Sequence, residues 1–216
     1  MPPRALKKTI RDLLDRGELE QVAELATEKK RVLGTLIALT YDSELEVVWR
    51  SIEAMGLAVE RLASSEKRYL KEHMRRLYWL ITEEAGAVFW RAPECMAECC
   101  VRLPTLFKSH IPIAFHLLET LEEEDLEHFR PGTLWAIGRL IGVAGKDLHT
   151  VLPLVIEALD RPDPQARGMA VWCLGQLGQA KLLTGHPELL RDQRPVDLYE
   201  DGNHNRTRVS HLVRAH

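Results

Sequence analysis

Glu94 and Glu98 stand four residues apart in a segment that also holds Glu83, Glu84, Trp90 and Arg91. On an α-helix an i, i+4 pair shares one face, so the two carboxylates project together. Glu83 or Glu84 from the preceding turn, with His73 or His116 from neighbouring helices, would complete a polar pocket or an oxygen-rich metal site. The same residues also suit a structural role, in which they cap helices and pair with Arg91, Arg75 or Arg76. The structural role is the simpler of the two. Glu83, Glu84, Trp90, Arg91, Glu94 and Glu98 are therefore binding candidates only. No residue is assigned as catalytic, and no metal or cofactor is called for.

Three further groups carry chemistry in principle. Cys95, Cys99 and Cys100 are spaced C-x3-C-C, with Cys173 far along the chain. Zinc thiolates usually come as C-x2-C pairs, so core thiols are the expectation. Trp49, Trp90, Trp135 and Trp172 suit either an aromatic ladder for a ligand or packing between helices, and packing is expected; Trp79 shares the ambiguity. Lys67, Arg68, Lys71, Arg75 and Arg76 make a basic helix face, and Glu119, Glu122, Glu123, Glu124, Asp125 and Glu127 an acidic run. Solvated faces account for both, while a binding surface would use them as opposite patches.

The elements that must position these groups repeat. Trp49-Arg50-Ser51-Ile52-Glu53-Ala54-Met55-Gly56 parallels Trp90-Arg91-Ala92-Pro93-Glu94-Cys95-Met96-Ala97. Trp135-Ala136-Ile137-Gly138-Arg139-Leu140 parallels Trp172-Cys173-Leu174-Gly175-Gln176-Leu177. The small residues Gly56, Ala97, Gly138 and Gly175 lie 41, 41 and 37 residues apart. A period near 40 holds two helices and two turns. The glycines are expected where helices approach closely. Leu45, Val48, Ile52, Met55 and Val59 keep the helical spacing of three and four. Ser43 with Glu46 reads as a capping box, and Asp163-Pro164 as an N-cap followed by proline in the first turn. Pro93, Pro131 and Pro187 suit first-turn positions as well.

The expected fold class is all-α, an α-solenoid of tandem helical hairpins with a short carboxyl-terminal hairpin or tail. Residues 1–42 form a helical cap, with helices near 4–16, 18–28 and 29–40. Residues 43–191 hold four hairpins, at 43–83, 90–122, 130–160 and 163–191. Residues 192–216 form a second cap or tail, and the whole is one domain. In the tail, Val196 to Asn203 reads as a strand entering an Asp201-Gly202 turn, with Val209, Leu212 and Val213 ready to dock a last helical turn.

Composition narrows the function classes. The chain has 216 residues, 45% of them hydrophobic, and a formal net charge of −3. That balance argues against a strongly basic nucleic-acid binder. The start of the chain is charged and lacks the apolar core of a secretory leader. No apolar run reaches membrane-spanning length. Reduced thiols in a cytoplasm are the expectation.

The segment Asp163-Pro164-Gln165-Ala166-Arg167-Gly168-Met169-Ala170-Val171-Trp172-Cys173-Leu174-Gly175-Gln176-Leu177-Gly178 resembles a HEAT-like repeat of the phycobilisome-lyase type. Its pattern there is D-x-x-[VA]-R-x-x-A-x-x-A-L-G-x-L-G. Glu44 to Gly56 is a weaker version, with Val48 where arginine is usual. The resemblance spans roughly 43–191. Glu83-Glu84-Ala85-Gly86 through Trp90 to Glu98 also resembles the signature of an uncharacterised bacterial HEAT-like family. The resemblance implies a protein-interaction scaffold with a protein partner, gripped by the second helix of each hairpin: 66–82, 110–122 and 148–159. Two alternatives come from the same analogy. One is a DNA-acting enzyme like the HEAT-like alkylpurine glycosylases, disfavoured by the net charge. The other is a lyase or chaperone for a tetrapyrrole, for which only the repeat consensus matches. No His-Glu dipeptide occurs, so the HEAT-fold iron hydroxylases are not matched.

Overall fold

Apolar spacing of three and four residues, broken by Gly, Pro and short polar turns, produces helices along nearly the whole chain. The computed structural model describes residues 2–82, 91–121, 126–145 and 148–216. Among these residues the α-helices are α1 (Pro3–Asp15), α2 (Leu19–Glu28), α3 (Arg31–Leu39), α4 (Leu45–Leu62), α5 (Lys67–Thr82), α6 (Ala92–Arg102), α7 (Ile111–Thr120), α8 (Arg130–Ala144), α9 (Leu148–Glu157), α10 (Pro164–Gln176) and α11 (Val209–Ala215). Strands β1 (Pro195–Glu200) and β2 (Asn203–Arg208) pair as one hairpin. The fold class is all-α, of the helical-repeat type, with a short carboxyl-terminal strand hairpin. The chain divides into two compact units, 1–108 with 201–204, and 109–200 with 205–216.

In the first unit α4 is the central helix. Val47, Trp49, Ile52, Met55, Ala58 and Val59 are all buried, because α1, α2, α3, α5 and α6 pack around it. Gly56 sets the approach of α6. A Cβ there would stand 3.2 Å from the Glu98 Cβ and 3.2 Å from its carbonyl oxygen. Arg50 ties α4 to the end of α1 by donating to the carbonyls of Leu14 (3.0 Å) and Asp15 (2.9 Å). These are carbonyls that a helix terminus leaves unsatisfied. The capping box expected at Ser43 and Glu46 does not form. Glu44 is the N-cap of α4, with no side-chain cap bond. Asp42, held by Arg11, instead accepts the Glu44 N–H at 3.1 Å, so the turn uses the carboxylate one residue earlier.

In the second unit α8 and α10 pack most closely. Gly138 makes this possible, since a Cβ there would lie 2.3 Å from Trp172 Cζ3. Trp135 and Trp172 stack with centroids 6.3 Å apart and planes 9° apart. Their ring N–H groups donate to the Tyr199 carbonyl (2.9 Å) and the Glu200 carboxylate (2.8 Å) of β1. Gly168 faces Val196, and Gly175 faces the His216 ring. Asp163 caps α10 as expected, accepting from the N–H groups of Gln165 and Ala166 at 3.1 Å each. Pro164 occupies the first turn. The last hairpin differs from expectation in its return limb. Residues 180–185 and 187–191 form two 3-10 turns rather than an α-helix. Gly178 at φ +64° ends α10, and Gly185 and Pro187 interrupt the return limb. The tail is ordered into a hairpin: Asp201 and Gly202 carry φ of +51° and +77° at its turn, and Val209 and Leu212 dock α11.

Candidate functional site

The sequence candidates separate on the structure. Glu83, Glu84 and Trp90 lie outside the described residues, as do Glu122, Glu123, Glu124 and Asp125 of the acidic run. Arg91 and Glu94 come together at the start of α6, with Arg91 Nη1 donating to Glu94 Oε1 at 2.9 Å. The Arg91 guanidinium also lies 4.9 Å from the centre of the Trp49 ring, a cation–π contact. Glu94 is wholly buried, and its Oε2 accepts no hydrogen bond among the described residues. Burial raises its pKa, and Arg91 offsets this only in part. Glu98 is one turn further on, also buried, with its Cβ and backbone against Gly56. Both residues are therefore buried, Glu98 where α6 meets α4.

His73 lies on α5, buried, with Nε2 3.4 Å from Met55 Sδ. Desolvation pushes its pKa down to about 4, so the ring is neutral at physiological pH. His116 is exposed on α7 and meets Glu119 of its own helix at 3.4 Å. The four cysteines are free and buried. Burial pushes the Cys100 and Cys173 thiols up to about 12 and raises Cys95 and Cys99 well above the usual thiol range, so none is a ready thiolate. Trp49, Trp135 and Trp172 are core residues.

Trp79 behaves differently: it is 62% exposed and stands beside the exposed Tyr78. Both belong to a cleft of about 750 Å³ between α3 and α5. Arg31 and Gly34 of α3 form one wall; Tyr69, Arg76 and Trp79 of α5 form the other, with the neutral His73 between them. Glu72 and Arg75 also line it and pair with each other. Leu70, Met74 and Leu77, on the opposite face of α5, are in the core. That division follows from the helical period: the lining residues recur every three or four positions, and the buried ones fill the gaps. One end of the cleft is fixed where the Tyr69 hydroxyl donates to the Lys30 carbonyl at 2.8 Å and Lys30 Nζ pairs with Glu66 at 2.7 Å. Arg31 and Arg76 are exposed and make no ion pair among the described residues.

The basic face read from the sequence supplies Arg75 and Arg76 to this cleft. Arg31, Gly34, Tyr69 and Tyr78 are not among the sequence candidates. Tyr69, four residues before His73 and ten before Trp79, carries the available signal. The α3 wall carries none, because nothing in the local sequence says which helix lies across from α5.

A second cleft, of about 700 Å³ in the second unit, is lined by charges that neutralise one another. There Asp192 pairs with Arg167 at 3.0 Å and Arg194 at 2.8 Å. Nearby, Asp160, His186 and Glu188 bring potential ligand atoms within 4.8 Å of one another. His186 Nδ1 lies 3.5 Å from Asp160 and 3.3 Å from Glu188, and both carboxylates are exposed, as in surface ion pairs.

Residues 127–177, which carry α8 to α10 and the stacked tryptophans, match the family model of the HEAT-like repeat. That segment is similar to a HEAT-like repeat, in keeping with the helical-repeat fold. Among solved structures, a designed armadillo repeat protein is similar at 16% identity with a TM-score of 0.49, covering 99% of this chain and 92% of that chain. No curated protein matches the sequence. No helix among the described residues is long and apolar enough to cross a membrane.

Proposed function

We propose that this protein is an interaction module and that the α3–α5 cleft is where it grips a partner chain. One observation carries the reading. α5 buries one face in the core and presents Tyr69, Tyr78, Trp79 and Arg76 from the other, around a cleft of ligand-site size. Exposed aromatic side chains along a cleft are the kind of apolar surface that a partner covers. Aromatic and arginine side chains are also the types that dominate binding energy at interfaces. Helical repeats commonly serve this purpose, which supports the reading by analogy of fold. On this reading Arg91, Glu94 and Glu98 hold α6 against α4 and do not touch the partner. An intracellular setting, with four reduced thiols, belongs to the same proposal.

Selection of a displayed peptide library on the intact chain tests it. Binders are expected whose affinity falls at least tenfold in Trp79→Ala. A library yielding binders that all tolerate both Trp79→Ala and a bulky residue at Gly34 would overturn the assignment of the cleft.

A further inference from the structure

We infer that the α3–α5 cleft recognises an acidic, extended peptide segment of a protein partner, four to five residues long with an apolar side chain among its carboxylates. This rests on the cleft being the binding surface and goes further by naming what it binds.

Among the described residues, three arginines and one carboxylate line the cleft. That carboxylate, Glu72, is already paired with Arg75, which leaves Arg31 and Arg76 uncompensated on opposite walls. Lys67, Arg68 and Lys71 continue the same sign along α5. Guanidinium groups on both walls of a cleft suit carboxylates, which arginine takes in bidentate pairs. The rings of Tyr78 and Trp79 supply the apolar contact that pure charge pairing lacks, since an exposed ion pair by itself is worth little.

Length follows from the helix. Tyr69 and Trp79 are ten residues apart, which at 1.5 Å per residue is about 15 Å. An extended chain advances about 3.3 Å per residue, so about four to five residues fill that distance.

A nucleic-acid strand fits less well. The basic stretch is too short to release many counterions.

Gly34 provides a clean test. A side chain added there meets nothing within 4 Å, so Gly34→Phe fills the cleft without disturbing the core. The probe is the labelled peptide Glu-Glu-Leu-Glu-Glu, compared with Gln-Gln-Leu-Gln-Gln and Lys-Lys-Leu-Lys-Lys, by fluorescence anisotropy on the full chain. The acidic peptide is expected to bind at least tenfold more tightly than the other two. Its affinity should fall at least tenfold in Gly34→Phe and in Arg31→Glu/Arg76→Glu, and should weaken with added salt. Circular dichroism and the unfolding midpoint establish that both variants are folded. Equal binding of the acidic and glutamine peptides, both blocked by Gly34→Phe, would overturn the acidic preference and leave the cleft as a peptide site. Acidic-peptide binding that ignores Gly34→Phe would overturn both. Tighter binding of a single-stranded oligothymidine, or a dimer of the chain that Gly34→Phe or the charge reversal dissolves, would overturn the inference by naming a different occupant.

Discussion

Alanine at Gly138 and alanine at Gly142 are expected to change stability in opposite directions, although both lie on α8 one turn apart. In a helix interior, replacing Gly by Ala stabilises by about 0.5–1 kcal/mol through lost freedom of the unfolded chain. Gly142 has open space where a Cβ would go, so Gly142→Ala should show the whole of that gain. At Gly138 the new methyl would lie 2.3 Å from Trp172 Cζ3 and 3.0 Å from Cε3 and Cη2. An ordinary carbon contact is about 3.5–4.0 Å, so the overlap exceeds an ångström. Trp172 has no easy retreat, because its ring is stacked on Trp135 and its N–H is bonded to Glu200 at 2.8 Å. Overpacking costs about 1–3 kcal/mol, and an overlap this large against a pinned ring belongs at about 2–3 kcal/mol, which leaves a net loss of about 1–2.5 kcal/mol after the helix gain. Urea unfolding followed by tryptophan fluorescence separates the cases. With a slope of about 2 kcal/mol/M, the Gly138→Ala midpoint should fall by about 0.5–1.3 M and that of Gly142→Ala should rise. If Gly138→Ala were as stable as the parent, the close packing of α8 against α10 would be refuted.

Three other substitutions have outcomes of known sign. Arg50→Met removes both bonds to the end of α1 and should cost about 1–2 kcal/mol in urea unfolding, with Arg50→Lys recovering part of it. Asp192 is held down to about 2, first by its hydrogen bond from Arg194 and then by Arg167, against the opposing push of burial. Its folded pKa lies below the unfolded value of 3.8, so its contribution is present above about pH 4 and is lost as pH falls toward 2. Asp192→Asn should therefore cost on the order of 1–2 kcal/mol at pH 7, after allowance for solvent screening, and flatten the acid limb of a stability–pH curve. Glu94 has the opposite sign: burial raises its pKa, so its charged form opposes folding at neutral pH and the penalty fades as pH drops through the folded pKa. Glu94→Gln, which keeps an acceptor for Arg91, should be more stable than the parent at pH 8 by thermal unfolding, with the difference closing toward acid.

The repeat frame is readable in the sequence because its cause is local. A glycine in helical register with bulky apolar neighbours announces a close approach, and Gly56, Gly138 and Gly175 each meet another element where a Cβ would stand. Asp201-Gly202 announces the hairpin turn, since few other pairs accept positive φ at both positions. Capping is half readable. Asp163 caps α10, whereas at α4 three polar residues in a row, Asp42, Ser43 and Glu44, compete for the same role, and Arg11, which holds Asp42, is thirty-one positions away. The return limb of the last hairpin reads wrongly as a helix because proline suits the first turn of a 3-10 helix as readily as that of an α-helix. Site chemistry is least readable. Glu94 and Glu98 do share a helix face, as their spacing requires, but that face is buried, and burial depends on which neighbour lies across it. The cleft is the converse: its α5 wall is visible as a basic face with Trp79, while Arg31 and Gly34 enter only through the packing of α3.

Hydrogen–deuterium exchange of the full chain with and without the bound acidic peptide tests most directly whether the α3–α5 cleft is the binding surface. Added protection is expected only in α3 around Arg31–Gly34 and in α5 from Tyr69 to Trp79, and it should be absent in Gly34→Phe. Protection elsewhere, with α3 and α5 exchanging as in the free protein, would contradict that assignment.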